Sequence, residues 1–192
     1  MQKQTTQFVR GLVLLPFLTT SSPFSILQNA NIPAPETAGK GFLATLVSNV
    51  NLDSSISEEK HQEVREERAA KIDAYYKKRN MPLEGYGMKM VLEAEKNNLD
   101  WRLIPAIAIR ESTGGKFACY NNPFGWGSCK IKFATWDDAI EAIARNLGGN
   151  NPSTEQYYKG KTTAEKLAYY NSVIPEYTAE IFEFMELIEQ GK

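Results

Sequence analysis

The chain has 192 residues, room for one ordinary domain with appendages, and its 42% hydrophobic share is enough to fill a core. A net charge of −1 supplies no field that would draw nucleic acid or an anionic membrane, and no basic patch interleaved with aromatics marks a nucleic-acid face. The single histidine, His61, lies in a charged run, so neither a histidine-based triad nor a histidine-rich metal cluster is expected, and no cofactor is called for.

The N-terminus opens without acids. Lys3 and Arg10 flank it, and the short apolar run Gly11–Leu18 (GLVLLPFL) follows. A positive stretch leading into a short apolar one is the build of a secretory signal. A bilayer-spanning helix needs about 20 apolar residues, and Pro16 interrupts this run early. Small residues at Thr20, Ser21, Ser22 and Ala30 offer cleavage points, so residues 1–30 read as a signal peptide, with a short uncleaved anchor as the alternative. The expected location is extracytoplasmic, secreted or wall-associated, with membrane contact only through this segment.

Residues 31–57, rich in Pro, Ser, Thr, Asn and Gly, read as a polar linker. Residues 58–80 are charged nearly throughout until Ile72, Tyr75 and Tyr76, and Glu and Lys or Arg stand at helix-supporting spacings. A solvated helix leading into the domain fits this pattern. Asn80-Met81-Pro82 ends it, because proline disfavours helix in the residue before it.

The remainder, 81–192, reads as helix after helix. Met88–Asn97 places Met88, Val91, Leu92 and Glu95 in register. Asp100 is the expected N-cap of a helix that runs to Glu111, with Pro105 near its start or bending its first turn. In TWDDAIEAIARNLGG, Thr135 and Asp138 resemble a capping box, an apolar stripe runs from Trp136 to Leu147, and Gly148-Gly149 ends the helix. Thr162 and Glu165 start a short helix to Tyr170. Pro175 opens the last one, with Tyr177, Ile181, Phe184, Met185 and Ile188 on one face. Only CKIKF (129–133) has the look of a strand. The expected class is mainly α with at most a short β-hairpin, and a monomer.

The cysteines, Cys119 and Cys129, are too few for a four-ligand zinc site, and their spacing is not that of a redox pair. They are either two buried thiols or a disulfide, and export favours the disulfide. Closing so short a loop contributes about 2–3 kcal/mol in the chain-entropy model.

In AIAIRESTGG, helical phasing sets Ile104, Ile107, Ala108 and Glu111 on one stripe. A carboxylate among isoleucines, at the negative end of a helix, is biased toward its protonated form, the form a general acid needs. The competing reading ties Glu111 to Lys116 or lets it reach solvent at the helix end. Downstream, FACYNNPFGWGSCKIKF sets aromatics beside Asn121 and Asn122. Aromatic faces suit the apolar face of a sugar ring, and amide side chains donate and accept hydrogen bonds, so this mix fits a carbohydrate cleft. Core-filling aromatics in a tight loop are the alternative.

AIAIRESTGG, NNPFGWGS and TWDDAIEAIARNL, in this order, resemble the glucosaminidase branch of the lysozyme-like superfamily, the mannosyl-glycoprotein endo-beta-N-acetylglucosaminidase-like enzymes. AYYNS (168–172) is similar to the tyrosine-asparagine motif of the related lytic transglycosylases. The resemblance spans about Asp100 to Ile181. It implies a small helical lysozyme-like fold that cleaves β-1,4 linkages of peptidoglycan or a related N-acetylated glycan. It assigns Glu111 as the acid, Tyr170 as its supporting tyrosine, and Asn122, Phe124 and Trp126 as the lining of the glycan groove. This chain departs from the pattern in having Pro123 before Phe-Gly and little room for the second lobe that carries another acid in many members. Asp137 and Asp138 read as capping groups and Glu155 as a loose candidate. A single acid, assisted by the N-acetyl group of the substrate, is the expectation.

Overall fold

A computed structural model describes the backbone of residues 39–191 and the side chains of 56–191. The signal segment expected at 1–30 lies outside the described residues. The chain divides into two units, 1–44 and 45–192. Of the first, only the helical backbone from Gly39 onward is described; every side chain and contact below belongs to the second.

Helix α1 spans Gly39–Lys78 and takes in most of the stretch expected to be a polar linker. Its charged portion is solvated, as its composition demands, until Ala69, Ile72, Tyr75 and Tyr76 turn inward and join the core. Asn80, at φ 51°, breaks the helix before Pro82. Next comes α2, Gly87–Lys96, whose first N–H groups are capped from α1: Asp73 Oδ1 accepts from Gly85 N–H at 2.9 Å and Gly87 N–H at 3.0 Å. A Cβ at Gly87 would meet the Ala69 carbonyl oxygen at 2.4 Å, so the two helices approach at a residue without a side chain. The buried residues of α2 are Gly87, Met90, Val91, Glu93 and Ala94. Leu92, expected among them, is 42% exposed: one position of phase separates the two stripes.

The centre of the domain is α3, Leu103–Ser112, packed against α2, α4 and α7. Leu103 to Ile109 are all buried, so this helix is apolar all round rather than striped, the pattern of a helix enclosed by others. Asp100 does not cap it. Its carboxylate instead accepts from the Arg102 backbone and guanidinium, and the helix begins at Leu103. Pro105 falls in the first turn, where its missing N–H would have had no helical partner, and its carbonyl accepts from the buried Tyr76 hydroxyl at 3.1 Å.

Helix α4, Trp136–Leu147, has the expected capping box, with Thr135 and Asp138 exchanging backbone and side-chain bonds. Gly149, at φ 75°, makes the left-handed turn after it. A short helix not foreseen from the sequence, α5, covers Glu155–Tyr158. Helix α6, Thr163–Tyr170, starts in the Thr162–Glu165 capping box, and α7, Tyr177–Glu189, buries Tyr177, Ile181, Met185 and Ile188 against the core. Among the described residues there is no strand. CKIKF runs through turns, with Phe133 N–H donating to the Tyr120 carbonyl at 3.1 Å and one isolated bridge joining Cys119 to Asn122. No helix of the described residues is long and apolar enough to cross a membrane.

Candidate active site

Glu111 stands in the last turn of α3, and the stop that follows it is built by its neighbours. Thr113, not a glycine, takes the left-handed position at φ 54°, and its N–H reaches the Ile109 carbonyl at 2.9 Å. Ser112 is buried; its hydroxyl donates to the Ala108 carbonyl at 3.1 Å and accepts from Gly115 N–H at 2.9 Å. Gly114 is required by proximity, since a Cβ there would lie 2.7 Å from the Met81 sulfur. The turn is therefore fixed by contacts on three sides, and Glu111 emerges from a helix end held by its neighbours.

The carboxylate is half-buried and held by groups far away in the chain. Tyr177, the first residue of α7, donates its hydroxyl proton to Glu111 Oε1 at 2.6 Å. On the other side runs the backbone of Gly125, where an added Cβ would lie 3.2 Å from Oε2. Lys116, the alternative partner, bonds instead to the Arg79 carbonyl at 2.8 Å. Arg110, one residue earlier, points to Glu180 of α7 and pairs with it.

Glu111 lines a cavity of about 490 Å³ with Phe124, Gly125, Trp126, Tyr158, Tyr169 and Tyr170 among its walls. Among the described residues that line it, Glu111 is the only carboxylate. The aromatic wall is continuous: Tyr177 and Tyr170 stack at 6.0 Å between ring centroids, and Trp126 lies 5.6 Å from Tyr170 and 6.3 Å from Tyr158. Tyr170 donates its hydroxyl to the Phe124 carbonyl at 2.5 Å. Burial pushes the phenols of Tyr170 and Tyr177 well above their ordinary range, and the Glu111 carboxylate adds to this. Burial alone pushes Tyr158 up to about 12. All three hydroxyls therefore keep their protons at ordinary pH, and those of Tyr170 and Tyr177 serve as donors.

The loop that forms the opposite wall is closed by a Cys119–Cys129 disulfide, with Cα atoms 6.0 Å apart. Inside it Tyr120, Asn121, Gly125, Gly127, Ser128 and Cys129 all take positive φ, so the chain coils tightly and most of these residues carry a backbone cost. Asn122, 1% exposed, is the peg: its amide nitrogen donates to the carbonyls of Trp126 at 2.8 Å and Ile131 at 3.2 Å, and its oxygen accepts from Trp126 N–H at 3.0 Å.

The residues singled out from the sequence thus meet in one place but in different roles. Glu111, Trp126 and Tyr170 line the cavity. Phe124 touches it, yet its ring is 1% exposed and its carbonyl is what holds Tyr170. Asn122 is not a lining group, because its hydrogen-bonding capacity is spent on the loop. Asp138 is held in its capping box, and Glu155 pairs with Lys159. The direct partner of Glu111 is Tyr177, a member of the apolar face expected on the last helix; nothing local marks it, since 66 residues separate the pair. Among the described residues no cluster of His, Cys, Asp and Glu could hold a metal ion. Comparison with protein-family models, curated proteins and solved structures found no match.

Proposed function

We propose that this chain is an exported peptidoglycan glycosidase of the endo-beta-N-acetylglucosaminidase type, cleaving β-1,4 glycan linkages with Glu111 as its general acid. The observation that carries the reading is the placement of one carboxylate, oriented by Tyr177 at 2.6 Å, in the wall of an aromatic-lined cavity with no second acid among its described lining residues. Protonated Glu111 gives its proton to the glycosidic oxygen, and the bond from that oxygen to the anomeric carbon breaks. The N-acetyl carbonyl oxygen of the substrate closes on the anomeric carbon as positive charge develops there. Glu111, now a carboxylate, takes a proton from water as the water oxygen attacks that carbon and the ring reopens. The acid thereby regains its proton. A pair of enzyme carboxyls about 5–9.5 Å apart, which direct retention or inversion uses, is not needed for this route.

The single acid also favours a second reading, a lytic transglycosylase, in which the sugar's own hydroxyl takes the place of water. Digestion of purified peptidoglycan followed by mass spectrometry separates the two: reducing ends indicate hydrolysis, anhydro ends transglycosylation. Intact material with the protein bound to it would instead indicate a non-catalytic glycan-binding module. Glu111→Gln keeps the shape and removes the acid. The expected loss is about 10²–10⁴-fold in rate; release of fragments at the parent rate would overturn the assignment.

A further inference from the structure

Two Tyr-Tyr pairs, Tyr157-Tyr158 on α5 and Tyr169-Tyr170 on α6, are split in the same way. The second member of each pair turns inward: Tyr158 is buried beneath Trp126 and Tyr170 holds the Phe124 carbonyl. The first member turns outward, leaving Tyr157 43% and Tyr169 52% exposed. The two outward rings lie against each other at 5.7 Å between centroids, and Tyr157 also touches Tyr158 at 6.5 Å. Tyr169 is itself part of the cavity wall, while Tyr157 lies beyond it. The aromatic surface that starts at Glu111 therefore leaves the cavity through Tyr169 and continues onto the outside at Tyr157. Neither outward ring fills the core. Exposed aromatics contiguous with a cleft are the surface expected of a binding site, and tyrosine offers a large rigid contact at small entropic cost.

Resting on the reading of the cavity as a glycan site, we propose that Tyr157 and Tyr169 form a sugar-stacking platform that runs from the cavity wall at Tyr169 onto the outer surface at Tyr157, which makes the protein select long glycan chains over short oligosaccharides. A short substrate fills the cavity alone. A polymer lays further sugar rings on the platform and gains affinity there, away from the reacting bond. Such remote contact acts on substrate binding more than on turnover.

The test is Tyr157→Ala in the full chain, with Tyr157→Phe as the variant that keeps the ring. Both are assayed on peptidoglycan glycan strands and on a short N-acetylated oligosaccharide. Expected is a rise of about tenfold in KM for the polymer with Tyr157→Ala, the equivalent of one ordinary contact. The rise on the oligosaccharide should be much smaller, kcat should stay near parent, and Tyr157→Phe should restore the parent KM. An equal change on both substrates, or none on either, overturns the platform. A parent protein that releases no fragments overturns the glycosidase reading instead. In that case the platform is judged by co-sedimentation with purified wall: retention that drops with Tyr157→Ala and returns with Tyr157→Phe supports it, and unchanged retention overturns it.

Discussion

The hydroxyl of Tyr177 reaches Oε1 of Glu111 at 2.6 Å, joining the first turn of α7 to the last turn of α3. A phenol whose own ionisation is suppressed is a dependable donor, and here it fixes one oxygen of the acid while the other faces Gly125. Helices α3 and α7, which pack against each other, thus meet at the group proposed as the acid.

Tyr177→Phe removes that donor and leaves the ring stacked on Tyr170. As a positioning residue, Tyr177 should affect turnover more than substrate binding. The expected outcome is a fall of about tenfold or more in kcat with KM within a factor of two, the pattern of an interaction lost in the transition state. Steady-state kinetics on glycan strands checks it. A change in KM alone would assign Tyr177 to the packing of α7.

Gly125→Ala places a methyl group 3.2 Å from Glu111 Oε2 at a backbone φ of 61°. The left-handed backbone alone costs a non-glycine residue about 1–2 kcal/mol. Gly160, at φ 67° with nothing within 4 Å of an added Cβ, is the matched control. Both alanine variants should lose about that much stability in denaturant titration, but only Gly125→Ala should also lose activity. Equal activity in the two would show that the acid tolerates crowding at Oε2.

Alkaline pH should unfold the protein cooperatively. Tyr76, Tyr170 and Tyr177 have phenols pushed well above 10.0, and Tyr158 is pushed up to about 12, each chiefly by burial. For every one of them the unfolded chain releases its proton near pH 10 while the folded chain retains it. Stability is therefore fully present below pH 10 and falls as pH rises beyond it, in the case of Tyr158 through about pH 12. Tyrosinate absorbance from these rings should rise together with the loss of helical circular dichroism. Their gradual ionisation in a protein that stays helical would contradict the burial described.

Reducing Cys119–Cys129 should loosen the wall of the cavity without dismantling the helices. The loop it closes, with a sequence separation of 10, contributes about 2–3 kcal/mol in the chain-entropy model. Its residues in positive φ gain most from release. Cys119→Ser with Cys129→Ser should lower the unfolding midpoint, keep the far-ultraviolet spectrum and weaken glycan cleavage. Unchanged cleavage would mean that Asn122 alone suffices to hold the loop.

What could be read from the sequence was whatever depends on neighbours along the chain. Both capping boxes, the glycines after α4 and the inward turn of α1 at Ile72, Tyr75 and Tyr76 follow from local chemistry, and the fold shows them. The phase of α2 was missed because Leu92 and Met90 satisfy helical spacing equally well, and only the position of α1 decides between them. Asn122 was recognised as special, but whether an amide faces a ligand or its own loop depends on how that loop coils. Tyr177 had no local signature at all. A tyrosine at the start of an apolar helix looks like any other core ring until α3 is packed beside it.

Because α3 is enclosed on every side while the wall across from it is a coiled loop, the two halves of the cavity belong to different stability classes. Amide protons in the buried turns of α3 are expected to exchange with solvent more slowly than those between Tyr120 and Cys129, an order that hydrogen-exchange measurement checks. The helix that carries Glu111 is then expected to follow the slower of two clocks and the opposite wall the faster. On that footing any widening of the cavity is expected to come from the loop, with the end of α3 as the reference.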